Sequence, residues 1–494
     1  MSRSLYARLV QRYGSKPDAA SRREVLKLAA AASAGVLIGG CAAGAGGLFK
    51  KRVGKRVIIV GGGFAGLACA HELHEAGYDV NLFEARRRVG GRVVSLTDFV
   101  QGKVVEGGGE LIGANHPTWM AYKDRFKLEL LELPENGSLS GPVVIEGKRL
   151  DEKQARALTE EMDAALRRMV DDARKVNADE PWRSQDAGKL DLRTVGDWVA
   201  SLDASRLCKR AVIADLEADA GVAVARQSYL AKLTQVKGGG LEKYWEQSWR
   251  YRCKGGNQEL AVRLARSIGM LRLKLGTPAV AIHATNTVVY VSTADGKTYE
   301  ADDVVLAIAP SAWPKIQIYP ELPAVLRVQM GTAVKYLMAM KGRFSNPAGL
   351  AVGGFTDGAV SRTWDGTAGQ GEGEAALVAY SAGPAAEGMR KHEPELRDAA
   401  YLAELQKLYP DIGRQYKASR FMDWPADPWT RAGISFPGPG DVMTTGPLLR
   451  KGHGQIHFAG EHACYKFAGS MEGALNSGVS LARRLAVRDG VLEV

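Results

Sequence analysis

Cysteine is scarce in this chain. Five occur among 494 residues, at Cys41, Cys69, Cys208, Cys253 and Cys464, with no Cys-x-x-Cys pair and no metal-ligand spacing. That scarcity excludes a disulfide scaffold and a zinc module, and it points to buried small residues rather than ligands. An oxidising compartment permits a Cys208 to Cys253 disulfide, although spacing alone does not establish the geometry. Long apolar runs are missing too: Leu28 to Ile38 is too short for a standard transmembrane helix. There is no Ser/His/Asp triad, no zinc motif, no phosphate-transfer lysine and no repeat with a period of 20 to 50 residues. A basic surface is lacking as well. The first 56 residues hold 12 of the 66 Lys and Arg but 2 of the 55 Asp and Glu, so the other 438 carry 54 against 53. Of the net charge of +11, +10 therefore falls in the first 56 residues, and the body offers no electrostatic case for a nucleic-acid partner.

What is present begins with that leader. Ser21-Arg22-Arg23-Glu24-Val25-Leu26-Lys27, followed by the apolar run, reads as a twin-arginine export signal over residues 1–45. The expectation is a partner in the twin-arginine export machinery, which moves folded proteins, and a periplasmic or extracellular location. Cys41, preceded by Ile38-Gly39-Gly40, resembles a lipoprotein attachment site. Cleavage near Ala43-Gly44-Ala45 and an uncleaved anchor are the alternatives.

The most informative stretch runs from Val57 to Arg92. Val57 to Val60 reads as a short buried strand, Gly61-Gly62-Gly63-Phe64-Ala65-Gly66 as a turn, Leu67 to Glu75 as a helix, and Val80 to Phe83 as a second strand ending at Glu84. This is a dinucleotide-binding β-α-β unit. Gly61, Gly63 and Gly66 permit a tight turn, close backbone approach to a pyrophosphate and close helix packing, and the helix start presents free N–H groups to phosphate. Glu84, 18 residues beyond Gly66, is placed to accept from a ribose diol.

Further along, Val105 to Gly113 is a glycine-rich turn, residues 151 to 176 form an amphipathic helix, and 190 to 250 is mostly helical. A helix runs from Gly255-Gly256 to about Ile268. Strands are expected at Ala279 to Ile282, Thr287 to Val291, Val304 to Ala307, Ala333 to Met340 and Ala376 to Tyr380, with a turn at Asp295-Gly296 before the third. Near the C-terminus, His457-Phe458-Ala459-Gly460-Glu461-His462 ends a strand, and Gly469-Ser470-Met471-Glu472-Gly473 opens a helix rich in small residues. Such a helix start can stabilise negative charge.

Both ends together resemble the flavin-containing amine oxidases, the group of monoamine, polyamine and L-amino-acid oxidases, over about residues 55 to 490. The resemblance implies FAD. Glu84, Ala85 and Arg86 would hold the adenosine ribose and pyrophosphate with Gly91 and Arg92. Gly460 and Glu461 would meet the pyrophosphate and ribityl region, the Met471 N–H with Ser470 the flavin pyrimidine, and the Ala279 backbone the adenine. The Gly108-Gly109-Glu110 turn would lie along the cofactor, with His462 packed beside it. Lys335, in Met330-Gly331-Thr332-Ala333-Val334-Lys335-Tyr336-Leu337, is similar to the family lysine that holds water at flavin N5. Desaturases that share both flavin ends do not, as a rule, carry it.

The sequence also departs from that pattern. The two aromatic positions that flank substrate in monoamine oxidases fall on Ile434 and Ser470, so the cage is missing or rebuilt by Trp429 or Trp424. Gly433 stands where monoamine oxidases carry the cysteine that tethers flavin, which implies non-covalent FAD. Many L-amino-acid oxidases place a carboxylate-clamping arginine soon after the Gly108-Gly109 pair, and this chain has Glu110. A carboxylate facing the pocket would favour a second amine.

The expected fold is α/β, with a Rossmann-like FAD-binding domain (55–135, 250–312 and 441–494) interleaved with a mixed-sheet plus helical substrate domain (136–249 and 313–440). The expected reaction is oxidation of a primary amine or basic L-amino acid to the imine, with hydride transfer to flavin N5 and reduction of O2 to hydrogen peroxide. A dehydrogenase or desaturase passing electrons to a quinone, and a non-catalytic flavin-binding protein, are the alternatives. The oligomeric state stays open.

Overall fold

A computed structural model describes residues 4–13, 53–133, 141–342 and 352–493. The twin-arginine pattern, the apolar run and Cys41 lie outside the described residues.

The short runs at Val57 to Val60 and Val304 to Leu306 are apolar throughout, as strands covered on both faces must be. They lie at the middle of a five-stranded parallel sheet in the order Ile456–Phe458, Asp303–Leu306, Arg56–Val60, Asp79–Glu84, Leu273–Leu275. Five segments distant in sequence thus form one sheet. The first helix of the unit, Phe64–Glu75, starts three residues earlier than the apolar pattern suggests, because Gly63 serves as its N-cap without a side-chain cap. Met471–Arg488 packs along it. Gly478 makes that approach possible, since a Cβ there would lie 2.2 Å from the Ala65 carbonyl oxygen.

A second, mixed sheet of seven strands runs Tyr416–Asp423, Ala333–Met340, Ala375–Ala382, Arg362–Asp365, Phe355–Thr356, Val143–Ile145, Lys148–Arg149. Ala333–Met340 is buried at every position and pairs on both sides, placing Lys335 opposite Tyr380 and Met422. Helices cover this part of the molecule, among them Glu152–Ala173, opened by an Asp151–Gln154 capping box and buried along Leu158, Met162, Leu166 and Met169 as the periodicity predicts. The architecture is α/β with a mixed sheet and a helical part, consistent with an FAD-binding fold.

Three details depart from the sequence reading. The Asp295-Gly296 turn joins Val289–Thr293 to a strand not foreseen, Thr298–Ala301, within a four-stranded sheet that also holds Ala279–Ala284 and Gln317–Tyr319. Thr298–Ala301 is half polar because one face is exposed, which hid it from an apolar search. The segment assigned to the leader includes a helix, Leu5–Tyr13, that buries Leu5, Ala7 and Leu9 in the helical core. Finally, Cys69, Cys208, Cys253 and Cys464 are all free and buried, so no Cys208–Cys253 bridge forms. Burial pushes each of these thiols up to about 12. They are expected to resist an aromatic disulfide reagent in native protein and to react on adding denaturant; fast labelling of Cys208 or Cys253 in the native state would contradict this burial.

Candidate active site

One cavity of about 340 Å³ runs from the end of the parallel sheet to the face of the seven-stranded sheet. At its first end, Glu84 closes its strand with both carboxylate oxygens engaged: Oε2 accepts from the Gly62 N–H at 2.7 Å and Oε1 from the Arg86 N–H at 2.7 Å. Each oxygen keeps a second lone pair for a ligand. The Thr277 N–H donates to the Glu84 carbonyl at 2.9 Å, bringing the Ala279 strand beside this end. The Arg86 guanidinium pairs with Asp427 and donates to Thr430 Oγ1 at 2.8 Å.

In the middle, Gly61, Gly63, Phe64 and Ala65 form the turn and helix start against the cavity. A Cβ on Gly61 would meet the Ala307 carbonyl oxygen at 2.6 Å, and one on Gly66 the Gly61 carbonyl oxygen at 2.0 Å, whereas one on Gly63 would meet nothing within 4 Å. Gly61 and Gly66 therefore tighten the turn, and Gly63 leaves room for a ligand. Opposite them, Glu461 accepts from Arg92 Nη1 at 2.8 Å, from the Ser435 N–H at 3.2 Å, from Ser435 Oγ and from the Gly469 N–H at 2.7 Å. Burial alone would raise the Glu461 carboxyl, but Arg92, His462 and Ser435 hold it below the usual range. Arg92 also donates to the Gly433 carbonyl at 2.8 Å.

His462 lines the same stretch with both ring nitrogens buried and unpartnered, and burial lowers it to about 4. A neutral imidazole with both nitrogens buried and unpartnered is a cost unless a ligand meets it. With the uncapped helix start, the open face at Gly63 and the acid at the strand end, these residues fit a dinucleotide cofactor.

At the far end, Gly108 and Gly109 stack their backbone on neighbours, a Cβ on Gly108 falling 1.8 Å from the Arg92 carbonyl oxygen and one on Gly109 3.0 Å from the Met471 side chain. Met471 opens its helix under the Ser470 cap, whose hydroxyl donates to the Phe467 carbonyl at 2.6 Å and accepts from the Gly473 N–H at 3.0 Å. Lys335 is buried, yet not alone. Its Nζ donates to the Glu106 carbonyl at 3.0 Å and to Glu110 Oε2 at 2.7 Å. Glu110 Oε1 accepts from Trp364 Nε1 at 2.8 Å and lies 3.4 Å from Arg252.

That geometry corrects the reading of Glu110. Its carboxylate is neutralised by two cations and an indole, because a charge this deep needs partners, so it does not offer a free anion to a second amine. Asp219 and Arg362, joined at 2.7 Å, also line the cavity, and Arg362 is held by Asp215 as well. Asp219 Oδ2 is buried without a partner.

Trp429 and Trp424, the tryptophans expected at a rebuilt cage, both line the cavity, at different places. Trp429 sits at the Arg86 end, its N–H donating to Asp427 and its ring 5.3 Å from Lys315 Nζ. Trp424 lies along the glycine turn, its Nε1 donating to the Gly107 carbonyl at 3.1 Å. The aromatics near Lys335 are Trp364, whose centroid is 5.4 Å from Nζ, and Tyr380, 6.0 Å from Trp364. Neither was singled out from sequence, nor were Asp219 and Arg362. Only the sheet register, Lys335 opposite Tyr380 and Tyr380 opposite Arg362, brings the strand residues together. Of the expected site residues, Glu84, Arg86, Gly91, Arg92, Glu110 and Lys335 line the cavity, as do Ile434, Gly460, Glu461, Ser470 and Met471. Gly66, Ala85 and Ala279 stand behind or beside it.

Glu472, on the first turn of the C-terminal helix, accepts from the Thr118 and Trp119 N–H groups at 3.0 and 2.9 Å, and burial still raises it to about 7 from 4.5. A raised carboxyl stabilises the fold fully below the unfolded value and loses that contribution as pH climbs through the folded one. Stability is expected to fall by up to about 3 kcal/mol from this group between pH 4.5 and 7. Urea midpoints across that window should flatten in Glu472→Gln; an unaltered slope would rule the group out.

The chain matches the family model described as flavin containing amine oxidoreductase over residues 64–486. It is 26% identical over 464 residues to flavin-containing amine oxidase A of Sus scrofa, covering 87% of this chain and 84% of that one. The probable flavin-containing monoamine oxidase A of Dictyostelium discoideum is 24% identical over 462 residues, covering 87% and 97%. Among solved structures, cyclohexylamine oxidase from Brevibacterium oxydans IH-35A superposes with a TM-score of 0.78 at 25% identity, over 88% of this chain and 99% of that one. Putrescine oxidase bound to putrescine gives 0.78 at 24% over the same shares.

Proposed function

Because the chain belongs to the flavin containing amine oxidoreductases, oxidoreductases that act on amines with FAD, we propose that it oxidises a primary amine or a basic L-amino acid to the imine and returns the electrons to O2 as hydrogen peroxide. The observation that carries this reading is Lys335, buried at one end of a cavity that runs past the nucleotide-binding turn to Glu84. Bound there, FAD would supply a hydride acceptor at N5. Glu84, the helix start at Gly63 and Phe64, and the Arg92–Glu461 pair would hold its adenosine and pyrophosphate portions. The Met471 helix start would place positive partial charge where negative charge develops during the reaction.

FAD is held without a covalent tether in this reading. Gly433 has no room for one, since a Cβ there would lie 2.4 Å from the Ala333 nitrogen. The substrate's reacting amine must be uncharged to release its α-hydrogen, and Trp364, Tyr380 and Ile434 offer it an apolar approach. Farther out, Asp219 and Arg362 are paired with each other, but Asp219 Oδ2 and Arg362 Nε keep no partner, and these two atoms suit a second ammonium and a carboxylate oxygen, which favours a basic L-amino acid or a diamine-like compound over a plain arylalkylamine. The twin-arginine pattern assigns the protein to export, to a periplasmic or extracellular site.

An anaerobic screen of amines and amino acids, following loss of flavin absorbance, tests this directly. Bleaching by basic amino acids or diamines, with peroxide on admitting air, is the expected result. Bleaching followed by turnover with quinone alone would make it a dehydrogenase, and no bleaching by any amine would overturn the reading.

A further inference from the structure

The helix Leu5–Tyr13 lies directly behind the charged wall of the cavity. Leu5 and Leu9, one turn apart, are buried against the helical core, and the Tyr6 hydroxyl donates to Asp163 while its ring meets Trp245 edge-on at 6.0 Å. Apolar burial would suffice to dock the helix, but two of its polar contacts reach the immediate surroundings of Arg362. The Leu5 N–H, a helix-start donor with no intrahelical partner, donates to Asp215 Oδ1 at 2.9 Å. The same oxygen accepts from Arg362 Nη2 at 2.6 Å. From the other side, Arg8 Nη1 donates to the Gly354 carbonyl at 3.1 Å, and the next residue, Phe355, is the register partner of Arg362. Trp249 stacks within 5.2 Å of the guanidinium, and Asp219 holds it at 2.7 Å.

We propose that the helix Leu5–Tyr13 is a positioning element of the substrate wall, fixing Arg362 through Asp215 and through the Gly354–Phe355 strand end. That Arg362 meets substrate rests on the functional reading above; that the helix orders Arg362 does not. The helix touches no reacting atom. Its effect passes through a guanidinium whose direction depends on two carboxylates, and the Asp215 oxygen shared between the Leu5 N–H and that guanidinium loses one of these two donors when the N–H leaves. Water would then reach Asp215, and Arg362 would gain freedom at the cavity. Processing of the chain between residues 14 and 52 would likewise cut this helix from the wall that it completes.

The test compares the full-length holoenzyme, an Arg8→Met variant of it and a chain starting at residue 15. With a substrate found in the screen, KM is expected to rise about tenfold in the truncated chain, the worth of one charge-assisted hydrogen bond, with kcat within about twofold. A synthetic peptide of residues 1–14 should restore KM when added in trans. Arg8→Met keeps the helix and should give a smaller rise in KM of the same kind. A readout independent of turnover is amide exchange at Phe355 and Arg362–Asp365, which should quicken on truncation and slow again with the peptide. Unchanged KM and unchanged exchange would overturn the proposal, as would a loss of kcat and KM together that the peptide does not reverse. Absence of amine oxidation in the full-length protein would sink the functional reading alone, with exchange still deciding this one.

Discussion

Replacing Glu461 with alanine is expected to leave the protein colourless and to lower its stability by about 3 kcal/mol, the cost of stranding a buried cation and its donors. Four donors converge on this carboxylate from three separate segments: Arg92, the Ser435 N–H and hydroxyl, and the Gly469 N–H. Without it, Arg92 keeps only the Gly433 carbonyl. The wall opposite the nucleotide-binding turn then loses the group that ties strand end, glycine loop and helix start into one surface. Glu461→Gln should be milder, because it keeps the shape and one acceptor oxygen while turning an amide toward donors. Flavin absorbance after gel filtration reads the first effect and urea midpoints the second. A fully yellow Glu461→Ala protein with an unshifted midpoint would show that the cluster holds nothing together. The pH sign is fixed as well: since the folded carboxyl lies below its usual range, its stabilisation is complete above the unfolded value and disappears as pH falls through the folded one.

The second large effect is expected at Lys335. A Lys335→Met enzyme should be reduced by substrate within a few-fold of the normal rate but reoxidised by O2 about 10²-fold more slowly, the size seen when one preorganised charge or donor is removed from a reacting centre. The ammonium sits between the Glu106 carbonyl and Glu110, and its partner is shared with Arg252 and Trp364. Loss of the cation therefore leaves Glu110 still partnered, which limits the structural damage. The double variant Lys335→Met with Glu110→Gln separates the two roles. It should regain any stability lost in the single variant while reoxidation stays slow, because stability answers to charge balance and oxygen reactivity to the cation itself. Stopped-flow reoxidation at the normal rate in both variants would remove Lys335 from the chemistry.

Much of the cavity's lining beside the nucleotide-binding turn was legible in the sequence. The run Val57 to Glu84 specifies its own strand, turn, helix and strand, since each glycine and each apolar position acts within a few residues of itself. Gly460, Glu461, Ser470 and Met471 were legible for the same reason, as a strand end and a helix start. Glu110 shows where such reading stops. A carboxylate after a glycine turn looks free in one dimension, and it is neutral in effect only because Arg252, Lys335 and Trp364 arrive from three other segments. Trp364, Tyr380 and Arg362 were invisible because cross-strand register, not spacing along the chain, puts them beside Lys335. Trp429 lines the cavity, and Asp427, which its backbone N–H meets and which also pairs with Arg86, fastens it at the Arg86 end.

The β-α-β unit from Val57 to Glu84 and the helix start at Met471 follow from residues a few positions apart, because they depend on local backbone freedom and apolar periodicity, while Lys335 stands out through the resemblance of its strand to that of the family. Folding sets which charges are spent on one another and which keep an atom free toward the cavity. That outcome depends on pairwise distances between residues more than a hundred positions apart, where a shift of a few ångströms turns an available carboxylate into a spent one.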